Sequence, residues 1–243
     1  MTLETTLTAV HIAETLSAAG VAVTDAQAER LRRFYTAVVE KNWVMNLTAI
    51  TEPEEFLRKH YLDSLCGDDP ARWEKINSAL DLGTGAGFPG IPLAIVHPDT
   101  QWTLLDATAK KLRFLEEIVV SLELKNVQVL HGRAEEIGRD ASYRERFDRV
   151  TSRAVAALSV LAEWALPLVR LGGSFWAFKG PKAEEEIHDA ERAIAILGGR
   201  IANIDTMTLV GSQDIRTLIE IEKTVPTPAK YPRPYAKTKK QPL

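Results

Sequence analysis

The sequence has a single cysteine, Cys66, so no disulfide can close within the chain, and this usage suits a reducing cytoplasm. Long apolar runs are also missing. No window approaches the roughly 18 unbroken apolar residues of a membrane span, so no membrane association is expected. The first twenty residues carry Glu4 and Glu14 and lack a basic stretch leading to a small-residue cleavage site, which argues against a secretion signal. The histidines at 11, 60, 97, 131 and 188 are scattered, and none pairs with a cysteine or second histidine at zinc spacing. No metal is expected. Repeats and low-complexity tracts are absent, and neither sign of charge dominates, with 30 Lys and Arg against 33 Asp and Glu. A membrane protein, a disulfide scaffold and a disordered chain are thereby disfavoured.

What remains is a chain of 243 residues, enough for one large α/β domain with an appendage. Three zones are expected. Residues 1–73 read as a helical extension. Thr24-Asp25-Ala26-Gln27 fits a capping box, and Leu31, Phe34, Tyr35, Val38 and Val39 follow at helical spacing. A second helix is expected to start at Thr51, with Pro53 in its first turn and Phe56, Leu57, His60, Tyr61, Ser64 and Leu65 on one side.

Residues 74–225 alternate short apolar runs with helical stretches. Strands are expected at 79–82, 102–105, 127–130, 147–151, 174–178, 201–208 and 216–222. Helices are expected near 91–96, 109–124, 134–140, 158–170 and 182–197. Such alternation predicts a doubly wound, mostly parallel sheet. Only a short loop around Gly211-Ser212-Gln213-Asp214 separates the last two strands, so they should form an antiparallel hairpin. A seven-stranded Rossmann-like sheet ending in such a hairpin is the class I arrangement of enzymes that use S-adenosylmethionine (AdoMet).

Residues 226–243 form a tail with prolines at 226, 228, 232, 234 and 242, expected to lie extended. From Lys223 onward there are six Lys and Arg and no acid, a pattern that suits a polyanionic partner, with Arg233 and Lys239 as candidate phosphate contacts.

The most informative segment is Asp81-Leu82-Gly83-Thr84-Gly85-Ala86-Gly87-Phe88-Pro89-Gly90. A buried strand runs into glycines at alternate positions and then into a helix, which lets a ligand approach the backbone closely. Residues 85–90 also match G-x-G-x-x-G, and Asp106 falls where a dinucleotide-binding sheet or a methyltransferase places its ribose-binding acid. The motif alone leaves both open, including an NAD-dependent oxidoreductase. Three features favour AdoMet: Asp81 at the strand end, where methyltransferases often place an acid facing the cofactor's amino-acid part; the terminal hairpin; and Glu135 after the third strand, placed to recognise adenine.

The turn after the fourth strand reads Thr151-Ser152-Arg153-Ala154-Val155. It offers no cysteine nucleophile, no Asn/Asp-Pro-Pro-aromatic motif and no general base. Cys66 lies far upstream and reads as an inert buried residue. No catalytic side chain is therefore expected, which suits an acceptor that is nucleophilic without deprotonation, such as guanine N7. A non-catalytic RNA-binding protein is the other alternative, motivated by the basic tail.

With these residues in view, the chain resembles the small-subunit ribosomal RNA guanine-N7 methyltransferases, the glucose-inhibited division protein B family. The resemblance is carried in order by 46–50 (NLTAI), 59–65 (KHYLDSL), 81–92, 104–106 (LLD), 110–115 (KKLRFL), 133–135 (RAE), 152–154 (SRA), 178–180 (FKG) and the closing YPR at 231–233 with Pro242-Leu243. It implies methyl transfer from AdoMet to small-subunit rRNA, with cofactor contacts at Gly83, Phe88, Ala134, Glu135 and Arg153; Gly85 and Asp106 join them on physical grounds. Arg153 can grip either the AdoMet carboxylate or an RNA phosphate. His60 and Asp63, one turn apart, are expected to face the substrate, and Lys179 stands at the ligand-binding edge of the sheet. Lys59 replaces the family's usual Arg and Ala236 a common Gly. The chain is expected to act as a monomer.

Overall fold

The computed structural model describes residues 7–243; Glu4 lies outside them. Thr24 begins the long helix of the N-terminal region. Its hydroxyl accepts from Gln27 N, while the Gln27 side chain accepts from Thr24 N, a reciprocal cap for orphan amides. Helix α1 (Ala9–Ala18) packs on α2 (Asp25–Met45), which buries Leu31, Phe34, Tyr35 and Val38. The next helix starts one residue later than expected. Glu52, not Thr51, caps α3 (Pro53–Phe56), because its carboxylate reaches both Glu54 N and Glu55 N. The chain then widens into a π-helix over Leu57–Leu62.

The sheet holds seven strands: β1 (Ser78–Leu82), β2 (Gln101–Asp106), β3 (Val127–His131), β4 (Phe147–Arg153), β5 (Val169–Lys179), β6 (Gly199–Thr208) and β7 (Ile215–Lys223), in spatial order β3-β2-β1-β4-β5-β7-β6. The first five run parallel, and β7 pairs antiparallel with both β5 and β6. This is the expected doubly wound sheet with its hairpin edge. Connecting helices are α4 (Gly90–Val96), α5 (Ala109–Ser121), α6 (Ala134–Ile137), α7 (Leu158–Ala165) and α8 (Ala183–Ile196). One apolar cluster packs the N-terminal helices, α4 and α5 on one face of the sheet, through residues such as Ala79 and Trp176; a second packs α7 and α8 on the other face, through Leu80 and Phe175 of the same strands. The sheet is therefore covered on both faces.

Two expectations fail for local reasons. The helix expected to reach residue 170 stops at Ala165, two residues before Pro167, and β5 begins at Val169, five residues early. Its start contains Gly172, at φ +74°, and Gly173, where a Cβ would stand 2.6 Å from Asp148 O; glycine lets this strand bend tightly onto β4. The tail is not extended throughout: a turn closes at Pro228–Tyr231, where Tyr231 N donates to Pro228 O at 2.9 Å. Between Pro234 and Pro242 no proline interrupts, and α9 (Tyr235–Lys240) forms. No helix among the described residues is long and apolar enough to cross a membrane.

Candidate functional site

Strand order reverses at β1, whose neighbours β2 and β4 send their connections to opposite faces, and ligands of open α/β sheets bind beyond the strand ends at such a crevice. A cavity of about 510 Å³ opens there, within the usual size range of small-molecule sites. Gly83, Gly85 and Phe88 line it, as do Asp106, Ala134, Glu135 and Arg153. The seven expected contact residues are thus brought together from four separate segments.

The glycines are required by geometry. Gly83 sits at φ +72°, and a Cβ on it would come within 2.6 Å of Val155 Cγ2. Gly85, at φ +60°, donates its N–H to Asp106 Oδ2 at 3.0 Å. Asp106 Oδ1 accepts from Thr108 N at 2.8 Å. Each carboxylate oxygen keeps a second lone pair for a ligand hydroxyl. Glu135 is 7% exposed, yet its carboxylate has no hydrogen-bond partner among the described residues. It lines the cavity, so its free lone pairs suit a ligand that donates.

Asp81 does not face the cavity. Its fully buried carboxylate accepts from Gly90 N and Thr151 Oγ1, both at 3.0 Å, and burial raises its pKa to about 6 against the opposing pull of those hydrogen bonds and of Arg153. It ties the start of α4 to β1 and β4. The expectation that it meets the ligand is corrected.

Arg153 ends β4 and is followed by Ala154 in the left-handed region, φ +55°, an unusual conformation for a residue with a Cβ and one that clusters at ligand sites. Nη1 donates to Lys59 O and Asp63 Oδ2, and Nη2 to His60 Nδ1 at 3.2 Å. Because Nδ1 accepts, the proton of neutral His60 resides on Nε2, 2.9 Å from Thr48 Oγ1. Burial first, and the Arg153 charge second, lower the His60 pKa to about 3. Asp63 Oδ1 takes a further bond from Arg216 Nε at 2.8 Å, so one carboxylate serves two guanidinium groups and the cluster keeps a net positive charge. Nε and the second hydrogen of Nη2 on Arg153 remain for an anion, in bidentate geometry.

His60 and Asp63 therefore share a side, as expected, and their side orients Arg153. The π-helix brings them there; such insertions are frequent at functional sites. Lys59 pairs with Glu55 at 2.8 Å. Lys179 does not line the cavity. Its ammonium donates to Ala156 O and Glu186 Oε2, pinning the loop that follows Arg153. Burial raises the Cys66 thiol to about 12, which leaves it un-ionised. Arg233 is also withdrawn: its side chain and backbone N donate to Glu163, which is fully buried.

Thr48, Lys111, Trp164 and Tyr235, to which the sequence assigns no role, also line the cavity, and so does Lys239, expected as a phosphate contact. Thr48 belongs to the 46–50 segment noted above. Trp164 lies in a helix buried along its whole length, which gives no signal of a ligand-facing side. Tyr235 stacks on Trp164, with ring centroids 5.6 Å apart, and closes one end of the cavity.

A family model described as "GidB: rRNA small subunit methyltransferase G" matches residues 27–215. The chain belongs to the rRNA small subunit methyltransferase G family. Relatives bearing that name include one from Lactobacillus delbrueckii subsp. bulgaricus, 40% identical over 235 residues, 95% of this chain and 98% of its own. Another, from Lachnoclostridium phytofermentans, is 46% identical over 217 residues, 89% and 90% of the two chains. Among solved structures, a mutant of the 16S rRNA (adenine(1408)-N(1))-methyltransferase from Catenulisporales acidiphilia aligns with TM-score 0.51 at 15% identity, over 65% of this chain and 93% of its own. A mutant of MtNAS aligns with TM-score 0.54 at 17% identity, over 88% and 78%. These two likenesses establish the fold, and the family's methyltransferase identity rests on the sequence relatives.

Proposed function

We propose that this member of the methyltransferase G family transfers a methyl group from AdoMet to N7 of a guanine in small-subunit ribosomal RNA. The observation that carries the reading is the convergence of a glycine-lined bend, two acids and one arginine on a single cavity at the sheet's crevice. Gly83 and Gly85 allow close approach to the main chain. Asp106 accepts from ribose hydroxyls, Glu135 accepts from the adenine edge beside Ala134, and the open edge of Arg153 takes the amino-acid carboxylate. Phe88, 6% exposed, walls the site apart from water.

AdoMet, when bound, supplies a methyl already activated by its sulfonium. The protein's task is then to position the acceptor and exclude solvent. Guanine N7 carries an in-plane lone pair and no proton, so no side chain has to accept one. His60 fits this division of labour: neutral, with Nδ1 already engaged by Arg153, it serves to orient rather than to shuttle protons.

The test is incubation of methyl-labelled AdoMet with small-subunit particles from cells lacking the modification, then chemical cleavage at N7-methylguanine. The reading expects label on one guanine of the rRNA. Labelled protein-free adducts elsewhere, or no label despite measured AdoMet binding, would reject the RNA acceptor.

A further inference from the structure

Beside the cofactor cavity lies a second concavity of about 400 Å³, lined by Arg139, Lys230, Tyr231, Arg233, Pro234 and Lys237. Its charge is unbalanced. Arg233 is neutralised by Glu163, but Arg139, Lys230 and Lys237 make no ion pair among the described residues, and no acid lines the wall. Arg139 is held in place by donating to Pro232 O at 2.8 Å and Lys230 O at 3.1 Å. Neutral carbonyls fix its position and leave its charge uncompensated. Like charges gathered around one hollow repel, and an anion seated there relieves the repulsion.

The hollow is joined to the cofactor cavity by one short helix. Lys237 of α9 faces the hollow, while Tyr235 and Lys239 of the same helix line the cavity mouth. Six residues of helix span about 9 Å. At the mouth, the Arg133 guanidinium and the Lys239 ammonium stand 5.4 and 6.0 Å from the Tyr235 ring centroid. Neither makes an ion pair among the described residues, and Tyr235 is 44% exposed. A row of unpaired cations with an exposed aromatic face is the combination by which proteins hold single-stranded nucleic acid.

We propose that the tail forms a phosphate track for the single-stranded RNA flanking the target guanine, with Arg139, Lys230 and Lys237 seating one stretch of backbone and Arg133 and Lys239 guiding the next toward the cofactor cavity. The inference rests on the RNA substrate of the preceding reading and adds the surface and the direction by which the strand arrives. The anchor of the track is the Glu163–Arg233 pair, which fixes α9 against α7.

The test uses the full chain and a transcribed fragment of small-subunit rRNA, titrated across potassium chloride concentrations, with AdoMet affinity measured in parallel. A Lys230→Ala/Lys237→Ala variant should lower the slope of log affinity against log salt by about 1.4, the worth of two single-strand phosphate contacts. Its AdoMet affinity should match the wild type, and Lys230→Arg/Lys237→Arg should restore the slope. An unchanged slope overturns the track. So does a slope change accompanied by an equal loss of AdoMet affinity, which would make the tail a wall of the cofactor site only. Wild-type protein that binds AdoMet but not the fragment overturns the track and spares the cofactor assignment. RNA binding with the expected slope but no AdoMet affinity overturns the proposed reaction instead.

Discussion

His60 and Phe88 lie face to face, with ring centroids 4.4 Å apart and planes 10° from parallel. The contact joins the N-terminal π-helix to the glycine loop, so the appendage helps build the cofactor wall. It also requires a neutral imidazole, because Arg153 donates to its Nδ1.

A pH dependence follows from that requirement. The folded His60 pKa, about 3, lies below the ordinary value of 6.5. Between those values the unfolded chain binds a proton that the folded chain refuses, so this contribution is present above about pH 6.5 and is lost as pH falls toward 3. Asp81 acts oppositely. Its raised pKa, about 6, favours the fold below the ordinary 3.8 and loses that contribution as pH rises through 6. Urea unfolding of wild type and His60→Gln from pH 7.5 to 4.5 should show the wild type losing ground to the variant as pH falls. Parallel curves would mean His60 titrates normally.

Gly83→Ala places a methyl 2.6 Å from Val155 Cγ2 at a positive φ. The left-handed conformation alone costs a residue with a Cβ about 1–2 kcal/mol. Calorimetry should show AdoMet affinity reduced at least about tenfold, which corresponds to 1.4 kcal/mol, with a lower melting temperature. Undiminished affinity would place the ligand away from the loop.

Glu135→Gln keeps the shape of the side chain and removes its charge. A hydrogen bond to a charged group contributes about 1.5–3 kcal/mol, so AdoMet affinity should fall by roughly ten- to a hundredfold while stability without ligand holds, since the carboxylate has no hydrogen-bond partner among the described residues to lose. A large stability loss with unchanged affinity would make Glu135 structural.

Arg233→Ala strands Glu163, which is 0% exposed. Breaking a buried pair from one side costs about 3–5 kcal/mol, or roughly 6–20 °C in a chain of this size. Adding Glu163→Leu should recover much of the loss. Thermal melts that barely move in the single variant would show that Glu163 finds another partner.

The sheet and the glycine bend were legible because both are local. Alternation of apolar runs marks strands, and glycines at 83, 85 and 87 mark a backbone that turns with positive φ, as each does here. Side-chain direction was not legible. Asp81 sits in sequence where a cofactor-facing acid is expected, yet its carboxylate turns inward to Gly90 N. Lys179 and Arg233 read as free cations and are bound to Glu186 and Glu163, acids 7 and 70 residues away. Trp164 and Tyr235 meet only after the tail folds back across the domain. Long-range pairing of this kind leaves no periodic trace in a single sequence.

The central claim is that the crevice beyond β1 takes AdoMet. A thermal-shift comparison of AdoMet, its demethylated product and NAD tests it most directly. Ligand at a hundred times its dissociation constant adds about 2.7 kcal/mol, near 5–10 °C here. AdoMet and its product should each raise the melting temperature by such an amount, and NAD should leave it unmoved. A shift with NAD alone, or with none of the three, would contradict the account.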